Sequence, residues 1–489
     1  MRADPPVIFW FRQDLRLADN PGLTAAIATG RPVLPVYILD DEALGPWRPG
    51  GASRWWLHHS LVSLGNDLSR LAGHADGRRV LVLRREDAET ALRSLIDQTG
   101  ATAVYWTRRY EPDAMAVDAR IKAALIRDGI ETRSFAGSLL FEPWTIATGQ
   151  GTPYRVFTPY YRACMAQSPG SVLPSPPRLV TSDASPESLP ISGLDLLPMP
   201  DWAEGMRSAW VPGEGGARAH LDHFLSDGIA TYREDRDHPH LFSTSRLSPH
   251  LHFGEVSPRV VWQAAQFHRE SVVASSGSEA YLRQLIWREF SHHLLYHFPD
   301  LPSRPLRPGF DALMRLDAPD AVAAWRRGRT GYPIVDAGMR ELWATGWMHN
   351  RVRMIVASFL IKDLLQPWQS GAAWFWDTLV DADLANNVAS WQWVAGCGAD
   401  AAPFFRIFNP VLQGSRFDPG GDYVRRWVPE LSGLDADHIH APWEAPTRIL
   451  DQAGVRLGRD YPLPIVDHAM ARRRALDAFR DIGTAKTSP

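Results

Sequence analysis

Cysteine is nearly absent: the 489 residues include only Cys164 and Cys397. Two thiols build no disulfide framework and cannot supply the four thiolates of an iron–sulfur cluster. Long apolar runs are missing too, none approaching the roughly 18 residues that span a bilayer. The N-terminal MRADPPVIFWFRQDLRL also lacks the basic, apolar, small-residue order of a secretory signal. These absences predict a reducing, cytoplasmic location and no membrane partner. Neither sign of charge is in large excess, the net charge being −3. That balance excludes no partner class, because a local basic groove can steer nucleic acid to an acidic protein. No internal repeat or low-complexity tail is present. What remains, 45% apolar and 22% charged, is globular in composition and long enough for two or more domains.

The first third alternates apolar runs with amphipathic stretches. Val7–Phe11, Val33–Leu39, Val80–Leu83 and Ala103–Trp106 read as strands, with Trp55–Leu71 and Ala88–Gln98 as helices between them. Continuous apolar strands separated by helices predict a parallel sheet covered on both faces. Residues 1–135 therefore read as a doubly wound α/β domain. Residues 136–205 read as a linker, dense in Pro and Ser from about position 165. Residues 206–489 show 3.6-residue periodicity and predict an all-α second domain. Ser248–Pro249 and Ser257–Pro258 are expected helix starts.

Tryptophan, by contrast, is abundant where it is least needed for packing. Eight fall between Trp325 and Trp393. Leu, Ile and Val fill a core with fewer polar atoms to satisfy. Repeated indoles suit a site where rings stack or electrons hop. The same stretch contains Asn350, Arg353, Asp381, Asp383 and Asn387, polar groups of the kind a flavin needs around its ring, ribityl chain and phosphates. The expectation is a photochemical site.

Single motifs each admit a plainer reading. Thr244-Ser245-Arg246-Leu247-Ser248-Pro249, with Tyr232 upstream, would gather hydroxyls and free N–H groups at a helix start and bind phosphate, or it is an ordinary capped helix. In Trp347-Met348-His349-Asn350-Arg351-Val352-Arg353-Met354, helical spacing puts Trp347, Asn350, Arg351 and Met354 on one face. That face is a cavity wall or a solvated amphipathic stripe. Asp381-Ala382-Asp383 lacks a neighbouring His and so makes a poor metal site, leaving a carboxylate paired with Arg353 or a helix cap. Asn387 follows Asp383 by one turn. Trp391 and Trp393 leave their helix in different directions. Trp287 and Arg288, in LIWREF, add another ring beside a cation.

At these residues the chain resembles the photolyase/cryptochrome family, from WFRQDLRLADN through TSRLSP, LIWREF, TGYPIVDAGMREL, TGWMHNRVRM, DADLANN, WQW and FRIFNPVLQG. GWMHNRVRM resembles cyclobutane pyrimidine dimer photolyases, and WVAGCGADAAPFFRIFNP resembles their bacterial class III members, to which the chain is most similar. The resemblance implies light-driven electron transfer from reduced FAD that splits a dimer flipped out of DNA. It also implies a 5,10-methenyltetrahydrofolate antenna and a monomer. Tyr232, Thr244, Ser245, Arg246, Leu247 and Ser248 would hold the FAD phosphates and ribityl chain. Trp347, Arg353, Asp381, Ala382, Asp383 and Asn387 would surround its ring, with Arg353 and Asp381 as an ion pair. Trp287 and Trp393 would sandwich the dimer, and Asn350, Met354 and Gln284 would line its pocket. Arg288, Arg351, Arg406 and Gln413 would contact DNA, together with Gln284, Trp287 and Asn350. Trp391 and Trp368 would relay electrons. No metal is implied.

Three positions depart from the family pattern. Gln284 stands where many members carry a glutamate and cannot supply a proton. Arg315 stands at the outer relay position usually held by tryptophan, leaving Trp325, Trp374 or Trp376 as substitutes. Asp113-Ala114 replace a folate-contacting Asn-Glu pair. The alternative function is a cryptochrome-like photoreceptor signalling through flavin redox state. The short stretch after ARRRALDAFRD favours repair over it. A non-photochemical flavoprotein would leave the paired tryptophans and the DNA-facing arginines unexplained.

Overall fold

The computed structural model describes residues 4–74, 80–270 and 274–485. The chain forms two compact units, each assembled from separated segments. The first comprises residues 1–230, 245–299 and 380–385, and the second residues 231–244, 300–379 and 386–489.

The first unit contains a five-stranded parallel sheet, β1 (Val7–Phe11), β2 (Val33–Leu39), β3 (Val82–Arg85), β4 (Ala103–Thr107) and β5 (Glu131–Phe135), in the order β3-β2-β1-β4-β5. Val7 faces both Val33 and Ala103 in register. β1, β2 and β4 are buried throughout, the pattern of strands covered on both faces. Helices Pro21–Ala28, Gly51–Leu71, Ala88–Thr99 and Pro112–Arg127 alternate with the strands. On one side Ile8, Val36 and Val104 pack with Leu92, Leu95, Ile121 and Leu125. The third strand lies two residues later than its apolar run suggests. β5 was not expected at all: its ETRSF is polar and partly exposed because it forms the sheet edge.

The Pro- and Ser-rich stretch has little regular structure, yet it is tied to this unit. Leu179 N donates to Leu71 O, and Leu189 N donates to Leu83 O. Before it, helix Phe157–Met165 occupies part of what reads as linker. Buried Arg16 joins distant segments by donating to the carbonyls of Ala18, Asp19, Gly137 and Gly254. Among the described residues no strand follows Phe135, and no helix is long and apolar enough to cross a membrane.

Two helix starts differ from expectation. Ser257 caps Pro258–Arg269, accepting from Val260 N at 3.1 Å. Ser248 does not hold the cap position: it is the first residue of the five-residue helix Ser248–His252, and Leu247 stands at the cap without a side-chain bond. The expected helical face joining Trp347 to Asn350 also does not form. Helix Pro333–Thr345 ends at Gly346, whose φ of 68° is left-handed, and the next helix, Asn350–Ser358, starts four residues later. The His349 ring caps that new helix, accepting from Arg351 N at 3.2 Å.

Gly254 has φ +68°, and a Cβ there would lie 2.1 Å from Gln13 O. Strain and backbone clash together predict that Gly254→Ala costs more than about 3 kcal/mol. Thermal unfolding of the variant measures that loss.

Candidate functional site

In the first unit the sequence candidates cluster around helix Ser275–His297 and the 245–252 segment. Tyr281 OH donates to Ser245 Oγ at 3.0 Å. Arg246 adopts a left-handed backbone, φ 51°, and lays its guanidinium 4.7 Å from the Trp210 ring centre. Leu247 and Ala382 are buried and Ser248 is exposed. Trp287 stacks on Phe157 with ring centres 3.6 Å apart and planes 3° from parallel. Phe157 thus covers one face of the indole, and only the other can take a further ring. Gln284 makes a single long bond, 3.5 Å to Ala280 O. Arg288 does not reach freely into solvent. Its side chain is 13% exposed and pairs with Glu289 at 3.2 Å. Buried Glu289 in turn accepts from Leu140 N and Phe141 N.

Asp383 has partners that its sequence neighbourhood hides. Its Oδ2 lies 3.3 Å from His292 Nε2 and 3.7 Å from His252 Nδ1. Burial alone would raise the Asp383 pKa, but the two imidazoles reverse this and hold it well below the usual carboxylate range. Burial likewise opposes charge on His292, yet Asp383 outweighs it and the His292 pKa is raised. Among the described residues no group of three His, Cys, Asp or Glu side chains could hold a metal ion.

In the second unit Tyr232 is buried, which pushes its pKa up to about 12. Trp347 is buried and Asn350 is exposed, with Arg353 and Met354 half-buried. Arg353 Nε donates to Met348 O at 2.7 Å. Arg351 pairs with Asp237 at 2.8 Å and lies 4.3 Å from the Phe417 ring centre. His349, capping this helix, is buried and its pKa falls to about 3. Its backbone N–H donates to Glu341, which also accepts from Tyr423 OH at 2.7 Å. Asn387 donates from Nδ2 to Ala372 O at 3.0 Å, which fixes the amide.

Trp391 is 2% exposed and Trp393 is half-buried. The Trp391 ring lies edge-on to Phe375 at 5.0 Å and against Gly371, where a Cβ would come within 2.1 Å of the indole. Phe375 in turn stacks with buried Trp325 at 6.4 Å. Buried Trp368 and exposed Arg315 line one depression with Phe310, Gln366 and Cys397. Trp374 stacks on Trp343 at 6.1 Å, and Trp343 is 63% exposed. Arg406 is exposed and Gln413 half-buried. The Arg406 carbonyl accepts from buried Lys362 Nζ at 3.0 Å, whose pKa burial lowers to about 8.

Sequence reasoning missed His252, His292, His349 and Lys362. Each acts through a partner remote in sequence or through a backbone group, so spacing carried no signal for them.

The family model described as "FAD binding domain of DNA photolyase" matches residues 281–481, and that described as "DNA photolyase" matches residues 7–179. The chain is 52% identical to the deoxyribodipyrimidine photo-lyase of Agrobacterium fabrum, over 97% of each chain. It is 40% identical to Cryptochrome-2 of Arabidopsis thaliana, over 96% of this chain and 78% of that one. The crystal structure of a bacterial class III photolyase from Agrobacterium tumefaciens has a TM-score of 0.94 at 51% identity, covering 99% of this chain and 98% of that one.

The Asp383–His292 pair makes stability depend on pH in a defined direction. Asp383, with its depressed native pKa, contributes above about pH 4 and loses that contribution as pH falls through its native value. His292, with its raised pKa, contributes fully below about pH 6.5 and loses that contribution as pH rises through its native value. Asp383→Asn is therefore expected to cost about 3 kcal/mol at pH 6, with a smaller gap to the parent protein at pH 9. Urea unfolding at the two pH values checks this, and equal gaps would contradict it.

Proposed function

The chain belongs to the photolyase/cryptochrome family, and on that premise we propose that it is a deoxyribodipyrimidine photolyase, a light-driven enzyme that splits cyclobutane pyrimidine dimers in DNA. The observation that carries this reading is likeness along the whole chain to photolyases of known kind, both in sequence and in fold. The 40% identity to a plant cryptochrome keeps photoreception as the second reading.

The residues present fit FAD. In the first unit the buried Ser278 hydroxyl, one turn from Tyr281, has no hydrogen-bond partner among the described residues. In the second the same holds for Ser243, which directly precedes Thr244. Unmet hydroxyls next to Thr244, Ser245 and Tyr281 suit a ligand rich in acceptor oxygens. Reduced FAD, when bound, supplies the photoexcited electron that opens the dimer ring.

The remaining work falls to side chains. Tyr232, Thr244, Ser245, Arg246, Leu247 and Ser248 are assigned to the phosphate and ribityl portion. Trp347, Arg353, Asp381, Ala382, Asp383 and Asn387 are assigned to the ring. The fixed Asn387 amide keeps its Oδ1 available as an acceptor. Trp393 and the uncovered face of Trp287 stack the extruded dimer, which flips at a cost of a few kcal/mol. Asn350, Met354 and Gln284 line its pocket. Arg406 and Gln413 meet the DNA backbone. Arg288 and Arg351 are paired with Glu289 and Asp237, so DNA contact by either requires sharing its carboxylate.

Trp391 and Trp368 form the inner electron relay. Trp374, stacked on exposed Trp343, supplies a better outlet to solvent than buried Trp325. A 5,10-methenyltetrahydrofolate antenna is proposed on the class III likeness alone. Asp113 is exposed and Ala114 buried, so this pair does not reproduce the missing Asn-Glu contact. Free, buried Cys164 and Cys397 suit a reducing, cytoplasmic setting, and we assign a monomer as the working form.

An oligonucleotide carrying one thymine dimer should be repaired by the reduced protein in near-UV or blue light and not in darkness. Absence of repair in light, with FAD and lesion bound, would turn the assignment to a photoreceptor. Asn350→Ala and Met354→Ala should each lower repair about tenfold, the worth of one lost contact, while FAD stays bound. Gln284→Glu should raise the repair yield. Loss of flavin from the Asn350 or Met354 variants would show these side chains to be misassigned.

A further inference from the structure

Asp383 is nearly dehydrated, and its two imidazole partners are not equivalent. His292 is flanked by two acceptors: Nδ1 lies 3.0 Å from Arg288 O, and Nε2 lies 3.3 Å from Asp383 Oδ2. A neutral imidazole has only one N–H, so it leaves one of these contacts acceptor against acceptor. Only the imidazolium satisfies both. His252 differs. Its Nε2 lies 3.5 Å from the Gln13 amide nitrogen, a donor, which leaves its proton on Nδ1, facing Asp383 at 3.7 Å. The geometry thus describes a carboxylate beside one imidazolium, with a second imidazole close by.

The surrounding charges leave this arrangement intact. Arg288 is committed to Glu289 at 3.2 Å, and Glu111 is held by Arg109 at 2.8 Å. Both acids therefore carry their own counter-charge, and neither competes for His292. Glu289 still favours a cation on the ring and Arg288 disfavours it, while Glu111 faces Asp383 and opposes a second negative charge there.

We infer that His292 is a positioning residue for the flavin site. By carrying the counter-charge it keeps Asp383 a fixed carboxylate, able to accept from a ring N–H and unable to donate to a ring carbonyl. His252 lies near the same carboxylate from a second direction, 3.7 Å away. This inference rests on the assignment of Asp383 to the FAD ring. It adds that the hydrogen-bonding sense of that contact is set by a histidine, whereas a free aspartate in so buried a place would take up a proton.

The test measures FAD binding and the oxidised flavin absorption spectrum between pH 5 and 8, apart from any repair assay. In the parent protein both should be flat across this range. In His292→Gln, FAD binding should become about tenfold weaker and the spectrum should titrate, because Asp383 is then free to protonate. His292→Arg, which keeps the cation, should restore affinity to within about threefold. Asp383→Asn should shift affinity and spectrum without titrating. If His292→Gln matches the parent while Asp383→Asn does not, the role of His292 is overturned. It is equally overturned if His292→Arg binds FAD as weakly as His292→Gln. If Asp383→Asn also matches the parent, the assignment of Asp383 to FAD itself fails.

Discussion

Asp383 is a carboxylate removed almost wholly from water, and such a group persists only where opposite charge and hydrogen bonds replace its hydration. That requirement draws together three segments far apart in the chain. The short piece 380–385 leaves the helical region and joins the first unit. There it meets His252, at the end of the Ser248–His252 helix, and His292, late in the 275–297 helix. Each of these elements also carries assigned ligand residues. The satisfaction of one buried charge therefore orients Ser245 to Ser248, Trp287 and Asp383 with respect to one another.

The same helix is anchored a second time. Glu289, next to Trp287 and Arg288, is buried and accepts from two backbone N–H groups of the 140–141 segment. A buried acid that far from water tolerates little rotation of its helix. Trp287 is consequently held flat on Phe157, with its ring plane set before any ligand arrives. Arg16 performs a comparable service at the sheet, where its guanidinium ties β-sheet loops to the Gly254 turn. In this unit Glu289 and Arg16 thus brace elements that also carry residues assigned to the ligand.

In the second unit the decisive feature is a break. Gly346 ends one helix, and the His349 ring starts the next, which exposes Asn350 at the first turn while Trp347 stays buried. A continuous helix would have put both on a single stripe. Packing also explains why so many indoles are tolerated. Trp391 needs the bare backbone of Gly371 beneath it, and Trp325 spends its N–H on the Val356 carbonyl at 3.1 Å. Trp391, proposed for the electron relay, and buried Trp325 are thus part of one layer through Phe375.

The sequence by itself determined the α/β-then-α order, because strand and helix periodicities are local properties of side-chain spacing. β1 and β2 were legible to the residue for that reason. It also determined the family and the candidate residues, since the motifs are contiguous. It could not show β5, whose polar residues become a strand only by pairing with β4. Nor could it show the helix break at Gly346–His349, where a left-handed glycine and a ring-to-backbone cap override a helical pattern. The partners of Asp383 were equally hidden. A sequence records that a carboxylate and two histidines exist, but their charge states follow from distances and burial, and only the tertiary structure supplies those.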